Sequence, residues 1–229
     1  MIHLQEVKKA FNQGRRNEIW AVRGITLMVE PNRATVFKGP SGSGKTTLLA
    51  MIGALARPTS GRILLNGKLL SNLPERFMTD VRRSTFGFIF QGFNLIRGLT
   101  VLENVMLPAY PLAPDYAELK DKALGLLRQF RLEGKAADKV EWLSGGEAQR
   151  TAICRALIND PGILIADEPT ANLDTKLSRE LIAMVGDLVD LGKTVLISSH
   201  DPIVFESPMV STVVEMRDGL LAEDCRTCG

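Results

Sequence analysis

The sequence predicts an α/β fold in which a mixed β-sheet core carries an inserted α-helical subdomain, with an antiparallel β portion near the N-terminus. Three observations support this prediction. Short β-rich segments divided by polar stretches open the chain, helical periodicity dominates residues 92–160, and compact apolar runs followed by helices close it. We therefore expect one domain over residues 1–229, with a core formed by 1–91 and 161–229.

Composition narrows the class of protein. Of the 229 residues, 45% are hydrophobic and 24% are charged, which suits a chain that buries a sizeable core and argues against disorder. The formal net charge of +2 gives no overall field of the kind that marks nucleic-acid binders. No apolar run reaches membrane-spanning length, and residues 1–6 lack the regions of a signal peptide. We expect a cytoplasmic protein whose membrane role would need a partner.

The first third predicts a sheet interrupted by one helix. Strands are expected at 2–7, 25–29 and 34–37. A helix over 46–55 begins directly after a glycine-rich loop. A hairpin turn at Asn66-Gly67 follows, and strand 86–90 leads into Gln91.

The middle of the chain is predicted to be helical. Helices are expected over 101–107, 116–130 and 147–158. The second of these places apolar side chains on one face, which we expect to pack in the core: Tyr116, Leu119, Ala123, Leu127 and Phe130.

The last third returns to strands and helices. Buried strands are expected at 163–166 and 194–198. The helix between them is predicted to begin after Asp174 as its cap and to end at Gly192. A final hairpin turns at Asp218-Gly219.

Residues 39–46 match the pattern G-x-x-x-x-G-K-[ST] between a predicted strand and a predicted helix, the context that gives this pattern its meaning. Glycines let backbone N–H groups approach phosphates, Lys45 neutralises the β- and γ-phosphate charge, and the Thr46 hydroxyl can coordinate Mg²⁺. The core is therefore predicted to be a P-loop NTPase core. Its candidate nucleotide-binding residues are Gly39, Pro40, Ser41, Gly42, Ser43, Gly44, Lys45, Thr46 and Thr47.

Polar side chains at other strand ends can complete a hydrolytic site. Asp167 and Glu168 follow an apolar strand, at the edge where open α/β sheets place ligand groups. Asp167 can hold the hydration shell of Mg²⁺, and Glu168 can act as a general base or orient the attacking water. His200 follows the next buried strand and can contact the γ-phosphate and the water. Gln91 can bind Mg²⁺ or water through its amide oxygen.

The segment Leu143-Ser144-Gly145-Gly146-Glu147 permits two interpretations. It can be a nest of N–H donors at a positive helix end, suited to receiving a phosphate. The spacing of Ser144 and Glu147 also fits an ordinary capping box. The phosphate loop in the same chain favours the first interpretation.

Taken in order, these motifs resemble those of the nucleotide-binding subunits of ATP-binding cassette (ABC) transporters, over essentially the whole chain. The matches are residues 39–46 to the Walker A loop, Gln91 to the Q-loop, 143–147 to the signature, Asp167 and Glu168 to the Walker B strand end and catalytic glutamate, 172–174 to the D-loop, and His200 to the switch histidine. The resemblance implies an ATPase with catalytic Glu168, His200 and Gln91, and Mg²⁺ held by Thr46, Gln91 and Asp167.

The resemblance also implies that each site is shared by two chains. In this family two cassettes pack head to tail, so the signature residues would meet the γ-phosphate held by the other copy. The implied ATP contacts are Ser144, Gly145, Gly146, Glu147 and the D-loop residue Asp174. Phe11 falls where the family stacks an aromatic ring on adenine. The implied partners are a second copy and an integral membrane permease, on the cytoplasmic face of the inner or plasma membrane, with no nucleic acid expected.

Within the family, residues 91–95, 102–105 and 107–108 are similar to cassettes of the lipoprotein-release and macrolide-export type. Export or lipoprotein release is therefore the predicted function. Alternatives are an amino-acid importer cassette and an ABC ATPase that regulates cell-envelope machinery without moving cargo. A soluble clamp on nucleic acid would usually carry coiled coils or a second cassette, and a phosphotransferase would leave residues 143–147 unexplained.

Four further residues are singled out by the sequence. Ala148 and Lys38 depart from the family's usual Gln and apolar residue, and neither change removes a catalytic group. Cys225 and Cys228 form a Cys-x-x-Cys pair, which is either half of a metal or redox site or two free thiols.

Overall fold

The computed structural model describes residues 1–222 and 226–227, so Cys225 and Cys228 lie outside the described residues. In chain order, the strands are β1 Ile2–Phe11, β2 Ile19–Val29, β3 Ala34–Lys38, β4 Ser60–Leu65, β5 Lys68–Leu69, β6 Phe86–Ile89, β7 Ile163–Asp167, β8 Thr194–Ser198, β9 Val210–Arg217, β10 Leu220–Leu221 and β11 Arg226–Thr227. The α-helices are α1 Lys45–Ile52, α2 Glu75–Thr85, α3 Val101–Met106, α4 Tyr116–Gln129, α5 Gly145–Leu157, α6 Thr175–Asp190 and α7 Pro202–Phe205. Short 3₁₀ helices cover Leu107–Leu112, Glu133–Lys135 and Val140–Trp142.

The strands form two sheets. The N-terminal sheet is antiparallel, in the order β2-β1-β4-β5. The second sheet has the order β10-β9-β3-β8-β7-β6, with β11 also paired to β9. Its central pairings are parallel, whereas β10 and β11 run antiparallel to β9. The predicted combination of a mixed sheet with an N-terminal antiparallel portion is confirmed.

Two apolar cores hold these layers together. The first lies between the two sheets around α1 and includes Phe37, Leu48 and Leu196. The second joins the mixed sheet to helices α3 to α6 and includes Leu127 and Ile153. Removing this apolar surface from water is the main force that holds the helices on the sheet.

The helical elements differ from prediction at α2, at Tyr116 and at the short helix α7, which the sequence did not indicate. Helix α2 was not predicted, because most of its residues are polar or charged and Met78 is its one fully buried residue. Tyr116 was predicted to be buried but is 62% exposed, since it lies in the first turn of α4, beyond the core that Leu119 and Ala123 enter. None of the helices in the described part of the chain has the length and apolar character that a bilayer span needs.

Candidate active site

The loop that joins β3 to α1 borders a cavity of about 570 Å³, a volume typical of small-molecule sites. Since β3, β6, β7 and β8 are parallel, their carboxyl ends reach the same edge of the sheet and bring distant side chains to this cavity. The lining residues are Phe11, Ile19, Ala21, Pro40, Ser41, Gly42, Ser43, Gly44, Lys45, Thr46, Thr47, Gln91, Glu168 and His200. Ile19 and Ala21 are lining residues that the sequence did not indicate.

Two glycines of the loop are required by close backbone approach. Gly39 has φ +154°, and a Cβ there would lie 2.1 Å from the carbonyl oxygen of Met216. Gly44 has φ +98°, and its Cβ would lie 2.2 Å from the carbonyl oxygen of Ala21. Only glycine tolerates both this conformation and this contact. The loop can therefore pack directly against the backbones of β9, which contains Met216, and β2, which contains Ala21.

Lys45 brings a positive charge to the floor of the cavity. It is the first residue of α1, 94% buried by neighbouring groups, and its Nζ donates to the carbonyl oxygens of Gly39 (2.7 Å) and Pro40 (3.1 Å). Ser43 Oγ beside it is buried and has no hydrogen-bond partner among the described residues. A buried cation, a free hydroxyl and a helix N-terminus fit a bound phosphate group.

Thr46 and Asp167 place two oxygen atoms that could bind a metal ion next to each other, beside the glycine loop. Thr46 Oγ1 donates to Asp167 Oδ1 at 2.9 Å, and Ser198 Oγ donates to the same oxygen. Ser198 is fully buried at the end of β8 and was missed, although a serine that ends an apolar strand was a visible signal. Within the described residues no group of three His, Cys, Asp or Glu side chains can hold a metal. A Mg²⁺ site built from hydroxyl, amide, carboxylate and phosphate oxygens fits this donor set.

Glu168 and His200 form a hydrogen-bonded pair at the cavity wall. His200 Nδ1 lies 3.0 Å from Glu168 Oε2, and Nδ1–H donates if the carboxyl group is ionised, since a carboxylate can only accept. Glu168 Oε1 lies 3.6 Å from Lys45 Nζ. The backbone of Glu168 has φ +45°, a strained conformation held by hydrogen bonds from its N–H to Ser198. The largely buried carboxylate is thus fixed in a position where it can accept a proton.

The signature residues lie apart from this cavity, since none of the described lining residues belongs to them. Instead, Gly145 and Gly146 face the start of α6: a Cβ on Gly145 would lie 3.6 Å from Asn172 O, and one on Gly146 would lie 3.1 Å from Leu177 Cδ2. The structure brings the Walker residues, Gln91 and His200 together but leaves the signature outside.

Ser144 and Glu147 form a capping box at the start of α5. Glu147 Oε2 accepts hydrogen bonds from Ser144 N–H (2.8 Å) and Ser144 Oγ (2.9 Å). Both bonds hold the pKa of Glu147 below its usual value, and the bond from the Ser144 N–H has the larger effect. Lys135 Nζ lies 4.0 Å from the other carboxylate oxygen. The signature therefore carries a fixed negative charge next to its N–H donors.

The D-loop is tied to two neighbouring elements. Asp174 caps α6 by accepting a hydrogen bond from Leu177 N–H at 2.8 Å. Asn172 Nδ2 donates to the carbonyl oxygen of Gln91, also at 2.8 Å. The predicted cap at Asp174 is confirmed, and its role toward ATP stays a prediction.

A phosphate-binding loop between a parallel strand and a helix, with two carboxylates at the end of β7 and a histidine after β8, defines a nucleotide-hydrolysing P-loop domain. The family model for ABC transporters matches residues 22–171. The chain belongs to the ABC transporter family, as the motifs predicted.

The chain corresponds to part of one relative and to nearly all of another. The macrolide export ATP-binding/permease protein MacB of Hyphomonas neptunium is 38% identical over 224 residues, which are 98% of this chain but 34% of that protein. The chain thus spans about a third of that relative. An uncharacterised ABC transporter ATP-binding protein of Thermotoga maritima is 38% identical over 219 residues, 96% of this chain and 92% of the relative.

A solved structure matches over the full length. The dimeric, post-hydrolysis ATP-binding cassette MJ0796, bound to ADP and Pi, is 36% identical to this chain and has a TM-score of 0.91. The match covers 100% of both chains. The match confirms the fold class and the assignment of this chain as a nucleotide-binding ABC ATPase.

Proposed function

We propose that two copies of this chain close head to tail around two ATP molecules and drive a separate membrane permease for export, on the cytoplasmic face of the membrane. The observation that carries the proposal is the separation of Ser144, Gly145 and Gly146 from the cavity that holds Lys45 and Glu168. Each chain then supplies two incomplete halves of a site, which a second copy completes. In this proposal the chain is one domain, and residues 92–160 form its helical subdomain.

Binding of ATP follows from the lining of the cavity. The loop N–H groups and Lys45 receive the phosphates, and the exposed ring of Phe11 offers a π-face to adenine. Asp174 lies next to the signature and would face the same ATP across the dimer. Mg²⁺, when bound, supplies charge neutralisation on the phosphates and would be held by Thr46, Gln91 and Asp167.

Hydrolysis follows from the hydrogen-bonded pair. Glu168 accepts a proton from water as the water oxygen bonds to the γ-phosphorus and the bond to the β–γ bridging oxygen breaks, which yields ADP and phosphate. His200 orients this carboxylate through its 3.0 Å contact. Gln91 lines the cavity from the end of β6 and can hold the water through its amide oxygen.

The charge of Glu147 is expected to oppose closure on ATP. Glu147→Gln keeps an oxygen that accepts from Ser144 but removes a negative charge that would face a triphosphate. We expect ATP-dependent dimers to become tighter, on the order of threefold at low salt, with a smaller gain as salt rises. Sedimentation velocity on a hydrolysis-blocked chain measures the dissociation constant of the dimer.

Glu118→Gln is the matched control for this change. Glu118 occupies the same position in the first turn of α4, whose cap is Asp115, and it lies on an exposed part of the chain. It should leave dimer formation unchanged. An unchanged or weaker dimer for Glu147→Gln would show that this carboxylate does not face the phosphates.

A groove beside the Q-loop is the proposed contact with the permease. A cavity of about 310 Å³ lies between α2, β6 and α5, and its wall continues into Phe90, the residue before Gln91. The groove combines apolar and cationic side chains, including Leu55, Arg82, Phe88, Phe90, Pro108 and Arg155. A permease segment seated here would touch the strand that ends at the hydrolysis site.

Isolation of the native partner tests the proposal. The tagged chain, cross-linked in membranes of its source cells, should retrieve an integral membrane protein, and the periplasmic or substrate domain of that protein would separate export from release, import and regulation. Leu55→Asp in the groove should reduce this recovery at least tenfold. Leu191→Asp, at an exposed leucine outside the groove, should not. Recovery of only soluble proteins would contradict a transport role.

A further inference from the structure

We infer that Trp142 covers the nucleoside half of the ATP bound to the partner copy, so that each adenine is held by Phe11 of one chain and Trp142 of the other. This inference rests on the proposed head-to-tail dimer and adds to it a residue outside the motifs. Trp142 would be a binding residue that contributes to base recognition.

The first observation is the exposure of Trp142. It ends the 3₁₀ helix Val140–Trp142, and its side chain is 71% exposed, the largest value among the large hydrophobic residues that the structure describes. Val140, in the same turn, is buried and anchors it. An indole buries more apolar area than most side chains, and tryptophan is enriched at interface centres. A rigid anchor that presents an uncovered indole is suited to an intermolecular contact.

The second observation is the short path from Trp142 to the signature. Leu143 and Ser144 are both extended, with ψ of 142° and 162°. Two extended residues span about 7 Å, so the backbone of Trp142 lies within about 7 Å of the helix end that would meet the phosphates. If Ser144 contacts the γ-phosphate of the partner's ATP, Trp142 reaches the rim of the same cavity.

The third observation is an apolar surface on the other side of that cavity. Phe11 and Ile19 both line it, and both are exposed large hydrophobic residues. The phosphate end of the cavity is polar and is formed by the glycine loop and Lys45. In the proposed dimer, the indole of Trp142 from one chain would approach the apolar end of the cavity of the other chain, where Phe11 lies. The adenine would then lie between the two rings. Stacking of this kind is open to every base, because every base has a π-face.

Dimer formation measures this contact directly. In a Glu168→Gln chain, ATP should drive dimerisation, and adding Trp142→Ala should raise the dimer dissociation constant about a hundredfold, because each dimer loses two base–aromatic contacts that contribute about tenfold each. Trp142→Phe should recover most of the loss. Leu191→Ala, at a leucine that is 69% exposed at the end of α6, is the control and should have no effect. If Trp142→Ala dimerises as tightly as its parent, the inference is wrong.

A double-mutant cycle separates contact with the base from contact with protein. Phe11→Ala removes the opposite face of the proposed stack, so Trp142→Ala should cost much less in that background. An undiminished loss would mean that Trp142 packs on the partner's protein surface, which contradicts the inference while leaving the dimer intact. A Glu168→Gln parent that stays monomeric with ATP would contradict the proposed function itself, and the inference with it.

Fluorescence gives an independent readout. The chain has two tryptophans, Trp20 and Trp142, so Trp20→Phe leaves Trp142 as the single emitter. In the Glu168→Gln background its emission should change on addition of ATP only at protein concentrations that allow dimers. A change that follows ATP binding by the monomer, or no change on dimerisation, would overturn the assignment.

Discussion

Glu168→Gln is expected to lower ATP hydrolysis at least a hundredfold and to accumulate an ATP-bound dimer. Glutamine preserves the shape and can accept the hydrogen bond from His200, but its amide cannot take the proton of the attacking water. Loss of a general base typically costs a factor of about 10² to 10⁴. Phosphate release measures the rate, and gel filtration with ATP measures the dimer.

Glu206→Gln serves as the control for this substitution, because Glu206 is an exposed carboxylate at the end of α7. It should hydrolyse ATP at the parental rate. A Glu168→Gln chain that still turns over ATP normally would show that another group accepts the proton.

Mixed dimers are expected to regain activity that neither parent chain has. Lys45→Ala disables the phosphate loop, and Gly145→Asp places a negative charge at the signature, where a Cβ fits because its nearest neighbour is 3.6 Å away. Each variant alone should be nearly inactive. In an equal mixture, half of the dimers are mixed and each of these holds one intact composite site, so about a quarter of the parental rate should return.

The mixing experiment needs evidence that both variants fold. Each chain should still unfold cooperatively and within several degrees of the parent, since neither residue belongs to the two apolar cores, although Lys45→Ala removes two hydrogen bonds made by a buried side chain. If the mixture stays as inactive as its components while exchange of subunits is shown by labelled chains, the head-to-tail geometry is wrong.

The sheet was largely predictable because its central strands are short, mostly apolar runs that are buried along nearly their whole length. Strand β8 has the predicted bounds, and β7 extends the prediction by the single residue Asp167. Helix α2 escaped prediction because it lies on the surface, where few of its side chains need to be apolar. Tyr116 was misplaced because helical spacing gives the direction of a side chain but not whether a neighbouring element reaches it.

The motifs of the site were predictable because each is a short stretch of sequence. The side chains that hold the motif residues in place were not, because they come from distant parts of the chain. Ser198 holds Asp167 across two strands, a contact that depends on the order of the sheet. Lys38 looked anomalous before the glycine loop, but its Nζ lies 4.3 Å from the centre of the Phe205 ring. The charge is accommodated by an aromatic neighbour that only the fold supplies.

The hydrogen bond from Asn172 to the carbonyl of Gln91 would, if the proposed function holds, bear on how many ATP molecules are hydrolysed for each molecule exported. One end of this bond belongs to the segment beside the signature, and the other lies two residues after β6, next to the groove proposed to contact the permease. A displacement of either loop must move the other or break the bond. Under the proposed function, ATP turnover that leaves the permease unmoved would have to strain or break this bond, which would favour a fixed number of ATP molecules hydrolysed for each molecule exported.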